Sequence, residues 1–249
     1  MSRFEFTKMQ GLGNDFVVLE GPSKPGVEDV IRLCDRRFGV GADGVLVASP
    51  GSPIVMDYWN ADGSPAEMCG NGLRCVARYA FDRGWVDRPE FTVDTPGGMR
   101  QVRVEDGMVV AEIGPALIEG EETVDGFVYQ LVDTGNPHAV RVVDDPAEID
   151  VPVSGPRVAR EAGFDTGCNV EFIAIVGDEV TMRVWERGVG ETLACGTGMV
   201  AAAAVALNGG DGTIRVNVPG GVGRVEVKDG IAWLTGPAEY SFTGVFDQA

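Results

Sequence analysis

The chain has 249 residues, of which 38 are acidic, 20 are basic and one is histidine. This length corresponds to one or two domains with a sizeable core, and a hydrophobic content of 44% excludes a fully disordered chain. A net charge of −18 disfavours binding to nucleic acid or to an anionic membrane. The longest apolar run, residues 199–207, is too short to span a membrane, and the first residues lack the apolar core of a signal peptide. We therefore expect a cytoplasmic protein with reduced thiols, and the odd number of cysteines argues against a disulfide framework.

The basic residues are three lysines and seventeen arginines. One explanation is a GC-rich genome, which favours arginine codons. The other is adaptation to high salt, where a dense carboxylate surface keeps a protein dissolved. Composition alone leaves both explanations open, because net charge affects solubility and not fold.

Short runs rich in β-branched and aromatic residues predict strands at residues 4–6, 16–19, 45–47, 54–59, 101–105 and 108–113. Helical spacing of apolar residues predicts a short helix over residues 29–38 and two further helices over residues 73–82 and 199–207. The last of these is apolar on all sides, so we expect it to be buried. Residues 116–125 are acidic, with Pro and Gly nearby, and they are the best candidate for a linker.

The chain also repeats itself. Cys69-Gly-Asn-Gly recurs as Cys195-Gly-Thr-Gly, 126 residues later, and Pro96-Gly-Gly recurs as Pro219-Gly-Gly, 123 residues later. Four more short matches keep the same order and nearly the same offset, which indicates two copies of one unit. We predict an α/β (α+β) fold of two pseudo-symmetric halves, each a curved, mostly antiparallel sheet around a central helix. The halves comprise residues 1–115, on which residues 239–249 pack back, and residues 116–238, with the active site in the cleft between them.

Each cysteine of the repeat stands directly before a Gly-x-Gly that opens a helix. Glycine allows the tight turn, and the exposed N–H groups at the helix N-terminus form an anion site suited to a carboxylate. The same helix end lowers the pKa of a thiol from about 8.5 toward neutrality, which makes the thiol a usable base. Each half is therefore predicted to offer one thiol and one binding site for a carboxylate group.

Other uses of these residues are less favoured. The remaining cysteines, Cys34, Cys75 and Cys168, lack the glycine context and are expected to lie in the core or to support the site from behind. A zinc site is disfavoured by the spacing and by the single histidine, and no P-loop or dinucleotide-binding fingerprint is present. A Cys–His nucleophile pair that uses His138 stays open, although it leaves the second cysteine loop unexplained.

Several polar residues lie near the two loops in sequence or at matching places of the repeat. Asparagine offers uncharged donors and an acceptor, and arginine presents a fork that fits a carboxylate. For each asparagine the competing interpretation is a turn or cap residue, and for the Glu-Arg pair it is a solvated surface pair. The set comprises Asn14, Asn60, Asn136, His138, Asn169, Glu186 and Arg187.

Over almost its whole length the sequence resembles the diaminopimelate epimerase family. The motifs that carry the resemblance are Gly11-Leu-Gly-Asn-Asp-Phe, Asn60-Ala-Asp-Gly-Ser, Met68-Cys-Gly-Asn-Gly, Gly135-Asn-Pro-His, Trp185-Glu-Arg-Gly and Ala194-Cys-Gly-Thr-Gly. The resemblance implies an epimerase that interconverts LL- and meso-diaminopimelate, in lysine and cell-wall precursor biosynthesis, without pyridoxal phosphate or a metal. Many members carry Gln where this chain has Gly44, which leaves the role of that loop open.

The resemblance also implies roles for individual residues. Cys69 and Cys195 would be the two acid/base residues, and His138 and Glu186 would support them. The reacting α-carboxylate would be held by the helix ends, and the rest of the substrate by polar side chains. The implied binding set is Gly70, Asn71, Gly196 and Thr197 for the carboxylate, and Asn14, Asn60, Asn136, Asn169, Glu186 and Arg187 for the remainder.

Two other functions stay open from the sequence. One is a racemase of the same superfamily that acts on another polar amino acid, and the other is a non-enzymatic amino-acid-binding protein. Paired cysteine loops argue against the second, because binding alone needs no thiol. The expected partner is a small-molecule substrate, and the sequence does not distinguish a monomer from a homodimer.

Overall fold

The computed structural model describes residues 3–66 and 68–247 of the chain. The chain divides into two compact units, one formed by Met1–Ala111 with Gly236–Ala249 and the other by Glu112–Thr235. The boundaries predicted from the sequence lie between residues 115 and 116 and between residues 238 and 239.

The described residues form seventeen strands, named here in chain order. They are β1 (Arg3–Gly11), β2 (Asn14–Glu20), β3 (Gly44–Ser49), β4 (Ile54–Asn60), β5 (Glu90–Thr95), β6 (Gly98–Glu105), β7 (Met108–Pro115), β8 (Leu117–Val124), β9 (Phe127–Asp133), β10 (Pro137–Val142), β11 (Asn169–Val176), β12 (Glu179–Glu186), β13 (Gly190–Thr192), β14 (Gly212–Val218), β15 (Gly221–Lys228), β16 (Ile231–Pro237) and β17 (Glu239–Asp247).

The same described residues form four α-helices, two in each unit. They are α1 (Val27–Cys34), α2 (Gly70–Asp82), α3 (Val151–Glu161) and α4 (Gly196–Ala206). A short 3₁₀ helix (Pro146–Glu148) precedes α3. No described helix is long and apolar enough to cross a membrane.

The strands of the first unit pair in the order β17-β1-β2-β3-β4-β5-β6-β7. The β2/β3 and β4/β5 pairs are parallel, and the others are antiparallel. The C-terminal strand β17 therefore pairs with β1, the first strand of the chain.

The second unit repeats this pattern with the order β8-β9-β10-β11-β12-β14-β15-β16. Its parallel pairs, β10/β11 and β12/β14, stand at the same two places. The short strand β13 is an addition that pairs only with β12 among the described strands. The predicted fold class, two similar sheet-rich halves, is confirmed.

Each sheet is covered by helices because its central strands are apolar on both faces. In β3, Val45 and Val47 pack with residues of α1 in one cluster, whereas Leu46 approaches the first turn of α2. Helix α2 contacts strands β1, β2, β3, β4 and β6, and α4 contacts most strands of its own sheet, so each occupies a central position. All the predicted apolar positions of α4 from Met199 to Val205 are buried, as expected.

Two details of the sequence prediction were wrong. Helix α1 ends at Cys34 and not at residue 38, because the Asp35 carboxylate accepts the backbone N–H groups of Arg37 and Phe38 and starts a turn. The proposed linker, residues 116–125, is strand β8, which forms a hairpin with β9. Asp125 and Gly126 both have positive φ, as a tight hairpin turn requires, and the acidic side chains are mostly exposed.

Candidate active site

Cys69 is the N-cap residue of α2. Its backbone is extended, with φ −144° and ψ 111°, and its Sγ accepts the backbone N–H of Gly72 at 3.4 Å. Gly70 and Asn71 form the first turn and are buried, whereas Cys69 is half-buried. The helix therefore begins three residues earlier than its apolar pattern predicts, at the position where N–H groups bind anions.

Asn14 lies beside Cys69 and is fixed by two neighbours. The Cys69 thiol donates to Asn14 Oδ1 at 3.6 Å, and Asn71 Nδ2 donates to the same oxygen at 3.2 Å. Asn14 Nδ2 in turn donates to Asp43 at 2.7 Å. The structure thus brings together three of the residues selected from the sequence and adds Asp43.

Arg74 is a second addition, and it is fully buried. Its guanidinium donates to Asn71 Oδ1 at 2.7 Å and to the carbonyl oxygens of Gly70 and Pro237 at 3.3 and 3.4 Å. Removal from water lowers the pKa of Arg74 to about 10. The signal in the sequence is one charged residue within the apolar run Leu73-Arg-Cys-Val-Ala.

The loop that carries Asn14 is anchored by ion pairs of the next residue. Lys8 contacts Asp15 at 2.7 Å, and Arg36 pairs with both Asp15 and Asp43. Burial raises the pKa of Asp15, but the hydrogen bonds from Arg36 and Lys8 outweigh it and hold the value at about 2. The ionised carboxylate therefore ties β1 and the segment after α1 to this loop.

Asn60 and Gly44 form a cross-strand pair of β3 and β4. Asn60 Nδ2 donates to Ser64 Oγ at 3.0 Å, within the turn that follows β4. A Cβ atom at Gly44 would lie 2.5 Å from the Trp59 carbonyl oxygen and 2.6 Å from the Tyr58 ring. The Tyr58 ring therefore occupies the space beside Gly44, where a larger side chain would collide with it.

Cys195 is the N-cap residue of α4, with the same extended backbone as Cys69. Its Sγ accepts the Gly198 N–H at 3.4 Å and lies 3.4 Å from Thr197 Oγ1. Burial raises the pKa of Cys195 well above its usual value, and the nearby carboxylates of Glu186 and Glu171 add to the effect. The expected lowering of the thiol pKa by the helix end is wrong for this cysteine, because burial and negative charge dominate.

Glu186 lies beside Cys195 at the end of β12. The Thr192 hydroxyl donates to Glu186 Oε1. Burial raises the pKa of Glu186, while hydrogen bonds from Thr192 and Cys195 act in the opposite direction. A carboxylate in contact with a thiol in this way can accept its proton.

Arg187 and Asn169 are joined across the neighbouring strands. The backbone N–H of Arg187 donates to Asn169 Oδ1 at 2.9 Å. The exposed guanidinium uses Nη1 to bind the Thr166 hydroxyl, at 2.9 Å, and the carbonyl oxygens of Thr166 and Gly167. These contacts fix the direction of the side chain.

Asn136 lies in the turn that enters β10, and His138 is the second residue of that strand. His138 is fully buried; its Nδ1 lies 2.7 Å from Glu171 Oε1, and its Nε2 lies 3.3 Å from Asn136 Oδ1. The Thr134 hydroxyl donates to the same Asn136 oxygen at 3.0 Å. Glu171 was missed in the sequence, although a glutamate inside the apolar strand Val170-Glu-Phe-Ile is the signal for it.

The other three cysteines are core residues, as predicted. Cys34, Cys75 and Cys168 are buried, and burial raises the pKa of each to about 12. Their thiols are therefore inert at neutral pH. In the described part of the chain, no three His, Cys, Asp or Glu side chains meet in a way that could hold a metal ion.

Comparison with known proteins places the chain in a family. The family model described as "Diaminopimelate epimerase" matches residues 6–118 and 130–241. A diaminopimelate epimerase of Alkalilimnicola ehrlichii is 40% identical over 275 residues, covering 97% of this chain and 98% of the relative.

Solved structures share the fold at lower identity. A phenazine biosynthesis protein of the PhzF family from Enterococcus faecalis has a TM-score of 0.76 at 14% identity, covering 99% of this chain and 100% of that one. A probable proline racemase from Agrobacterium radiobacter has a TM-score of 0.74 at 15% identity, covering 99% and 93%. These two likenesses concern the fold alone.

Proposed function

The chain belongs to the diaminopimelate epimerase family, and we propose that Cys69 and Cys195 are the two acid/base residues with which it inverts the α-carbon. As a member of that family it is an isomerase of lysine biosynthesis that interconverts LL- and meso-diaminopimelate. The substrate is a small molecule. The reaction needs both thiols reduced, and we place it in the cytoplasm for that reason.

One observation carries the proposal. In both units a cysteine is the N-cap of the central helix, and its sulfur accepts the N–H of the third helical residue at 3.4 Å. The strand order around both helices is the same, so the two thiols have equivalent surroundings in the backbone. Structural cysteines need no such repetition, whereas two equivalently placed thiols suit a reaction that removes a proton from one face of a carbon and returns one to the other face.

The chemistry follows from this pairing. One sulfur, as thiolate, removes the α-proton, and the electron pair of the broken C–H bond spreads into the α-carboxylate. The other thiol then gives its proton to the opposite face of the carbon and becomes the thiolate. The backbone N–H groups of Gly70, Asn71, Gly196 and Thr197 are the proposed donors that stabilise the growing charge on the carboxylate.

The two thiols have different acceptors. Cys69 donates to the neutral amide oxygen of Asn14, whereas Cys195 has the carboxylate of Glu186 beside it. Glu186 is the proposed group that takes the Cys195 proton when this residue starts the reaction, since the thiol itself loses a proton reluctantly. His138 is the other proposed supporting group.

The remaining polar residues are proposed to hold the rest of the substrate, including its distal amino-acid end. Arg187 is suited to the distal carboxylate because its fork is already oriented by Thr166 and Gly167. The uncharged amides of the set are suited to both ends of the substrate. These amides are Asn14, Asn60, Asn136 and Asn169.

The test uses the solvent isotope. The reaction is started from one pure isomer in D₂O and stopped early. Because the thiol that delivers the proton has already exchanged with solvent, the product should carry deuterium at the α-carbon and the recovered substrate should not. Deuterium in both isomers would mean a single base, and the two-thiol mechanism would be wrong.

Single substitutions make the assignment specific. Cys69→Ala and Cys195→Ala should each lower epimerisation by orders of magnitude in both directions. Cys75→Ala is the matched control, since Cys75 is buried in the same helix as Cys69 and should affect packing only. A panel of other polar amino acids tests the substrate, and faster turnover of any of them would contradict the assignment to diaminopimelate.

A further inference from the structure

The single histidine of the chain forms a fully buried pair with a glutamate. His138 Nδ1 and Glu171 Oε1 are 2.7 Å apart, and both side chains have no exposed surface. Glu171 Oε2 has no hydrogen-bond partner among the described residues. Burying such a pair is costly, so its presence requires a reason beyond stability.

The other unit shows that the fold does not need this pair. Strands β2 and β3 pair Phe16 with Gly44, and the equivalent strands β10 and β11 pair His138 with Asn169. Phe16 therefore stands where His138 stands, and Leu46, two residues after Gly44, stands where Glu171 stands. Both apolar residues are fully buried. The same layer can thus be built from Phe and Leu.

The glutamate lies directly behind the Cys195 loop. A Cβ atom on Gly198 would lie 2.6 Å from Glu171 Oε1 and 3.2 Å from the Cβ of Cys195. Only glycine at this position admits the carboxylate against the first turn of α4, where the helix end favours negative charge. At the equivalent Gly72, the nearest atom is a methyl carbon of Leu46 at 3.1 Å.

We propose that Glu171 is a positioning residue that holds the imidazole of His138 with Nδ1 protonated. The Nδ1–H is then committed to the carboxylate, and Nε2 faces Asn136 Oδ1 at 3.3 Å. This inference rests on the proposed function, in which His138 supports the thiols. It adds the residue that decides which ring nitrogen does so.

The test reads the histidine directly. In protein labelled with ¹⁵N-histidine and made without a histidine tag, a long-range ¹H–¹⁵N spectrum contains the signals of His138 alone. The native protein should show a proton bonded to Nδ1. In Glu171→Leu, which installs the residue of the other unit, Nδ1 has lost its acceptor while Nε2 keeps Asn136. The proton should therefore move to Nε2, and an unchanged Nδ1–H would overturn the proposal.

A second variant covers the case in which Glu171→Leu does not fold. Glu171→Gln keeps an acceptor oxygen but removes the charge, so the Nδ1 proton should remain and exchange with water about tenfold faster, because a charge-assisted hydrogen bond is replaced by a neutral one. An equal exchange rate in the native and Glu171→Gln proteins would contradict the proposal that the Glu171 carboxylate holds the Nδ1 proton. Leu46→Met, in the equivalent layer of the other unit, is the matched control and should leave the histidine signals unchanged.

Epimerase assays separate this inference from the proposed function. Glu171→Leu should lower kcat at least about tenfold and change KM little, because the residue lies behind the site and not against the substrate. A shifted imidazole proton with native kcat would refute the positioning role and leave the two-thiol mechanism intact. A native protein without epimerase activity would refute the proposed function, whatever the spectrum of His138 shows.

Discussion

The two glycines at the third position of α2 and α4, Gly72 and Gly198, offer a comparison within one molecule. Each lies three residues after a proposed catalytic cysteine, and each donates its N–H to that sulfur. Alanine at Gly72 would meet the end of a leucine side chain at 3.1 Å, whereas alanine at Gly198 would meet the Glu171 carboxylate at 2.6 Å.

The expected difference follows from what each neighbour can do. Leu46 has a flexible end that can yield by a few tenths of an ångström. Glu171 is held by His138 and has no exposed surface, so the new methyl group must shift the carboxylate or the helix. Such overpacking costs about 1–3 kcal/mol. The change in helix propensity is the same at both sites and cancels, so Gly198→Ala should be less stable than Gly72→Ala by about this amount.

The assay is thermal unfolding of both variants followed by circular dichroism, together with kcat for diaminopimelate. A difference of 1 kcal/mol corresponds to about 2–4 °C in Tm for a chain of this size. Gly198→Ala should also lose most of its kcat, because Glu171 and the Cys195 loop must move apart. Equal Tm values, or a less stable Gly72→Ala, would refute the packing argument for Glu171.

Three further predictions concern single residues. Because the pKa of Asp15 is lowered to about 2, its ionised form stabilises the native state above pH 4, and this stability is lost as the pH falls toward 2. The free energy of unfolding of Asp15→Asn, measured by urea titration, should therefore lie about 2 kcal/mol below that of the native protein at pH 6 and approach it at pH 2. Cys195 is buried with a raised pKa, so iodoacetamide should label the half-buried Cys69 first at neutral pH, and mass spectrometry of the peptides that shows the reverse order would contradict the burial argument. Arg187→Ala should raise KM by at least about tenfold, since a charge-assisted hydrogen bond contributes about 1.5–3 kcal/mol, and an unchanged KM would mean that Arg187 does not hold the substrate.

The internal repeat was the part of the fold most accessible from the sequence. Matching glycines keep their spacing because turns and helix starts tolerate few other residues, and their offsets reveal two units before any strand is assigned. The errors arose where local chemistry outweighs periodicity. The Asp35 carboxylate ends α1 early, and the Asp125-Gly126 turn makes a hairpin from a segment whose acidic composition resembles a linker.

The candidate site was accessible to the extent that its residues lie in loops with distinctive motifs. Asn14 and Glu186 were selected from such motifs, and the structure places each beside a cysteine. Asp43 and Glu171 were missed because their contacts join segments distant in sequence, such as Asn14 and Asp43, which are 29 positions apart. Arg74 was missed although two of its partners, Gly70 and Asn71, lie in the same helix. Arg74 and Glu171 stand out in the sequence as charged residues inside apolar runs. The sequence does not show which residues they contact.

The residues that were missed also explain how equivalent backbones can hold unequal thiols. Arg74, one turn after Cys69 and fully buried, corresponds to the apolar Val200 of α4, and Glu171 behind Cys195 corresponds to Leu46. A buried guanidinium favours negative charge in its surroundings, whereas buried carboxylates oppose it at Cys195. A reversible epimerase needs one thiolate and one thiol at a time, and two identical sites would leave that choice undetermined. In the proposed mechanism, duplication of the unit supplies the second proton carrier. Divergence of the buried charges behind the cysteines makes the surroundings of the two sulfurs unequal before the substrate arrives.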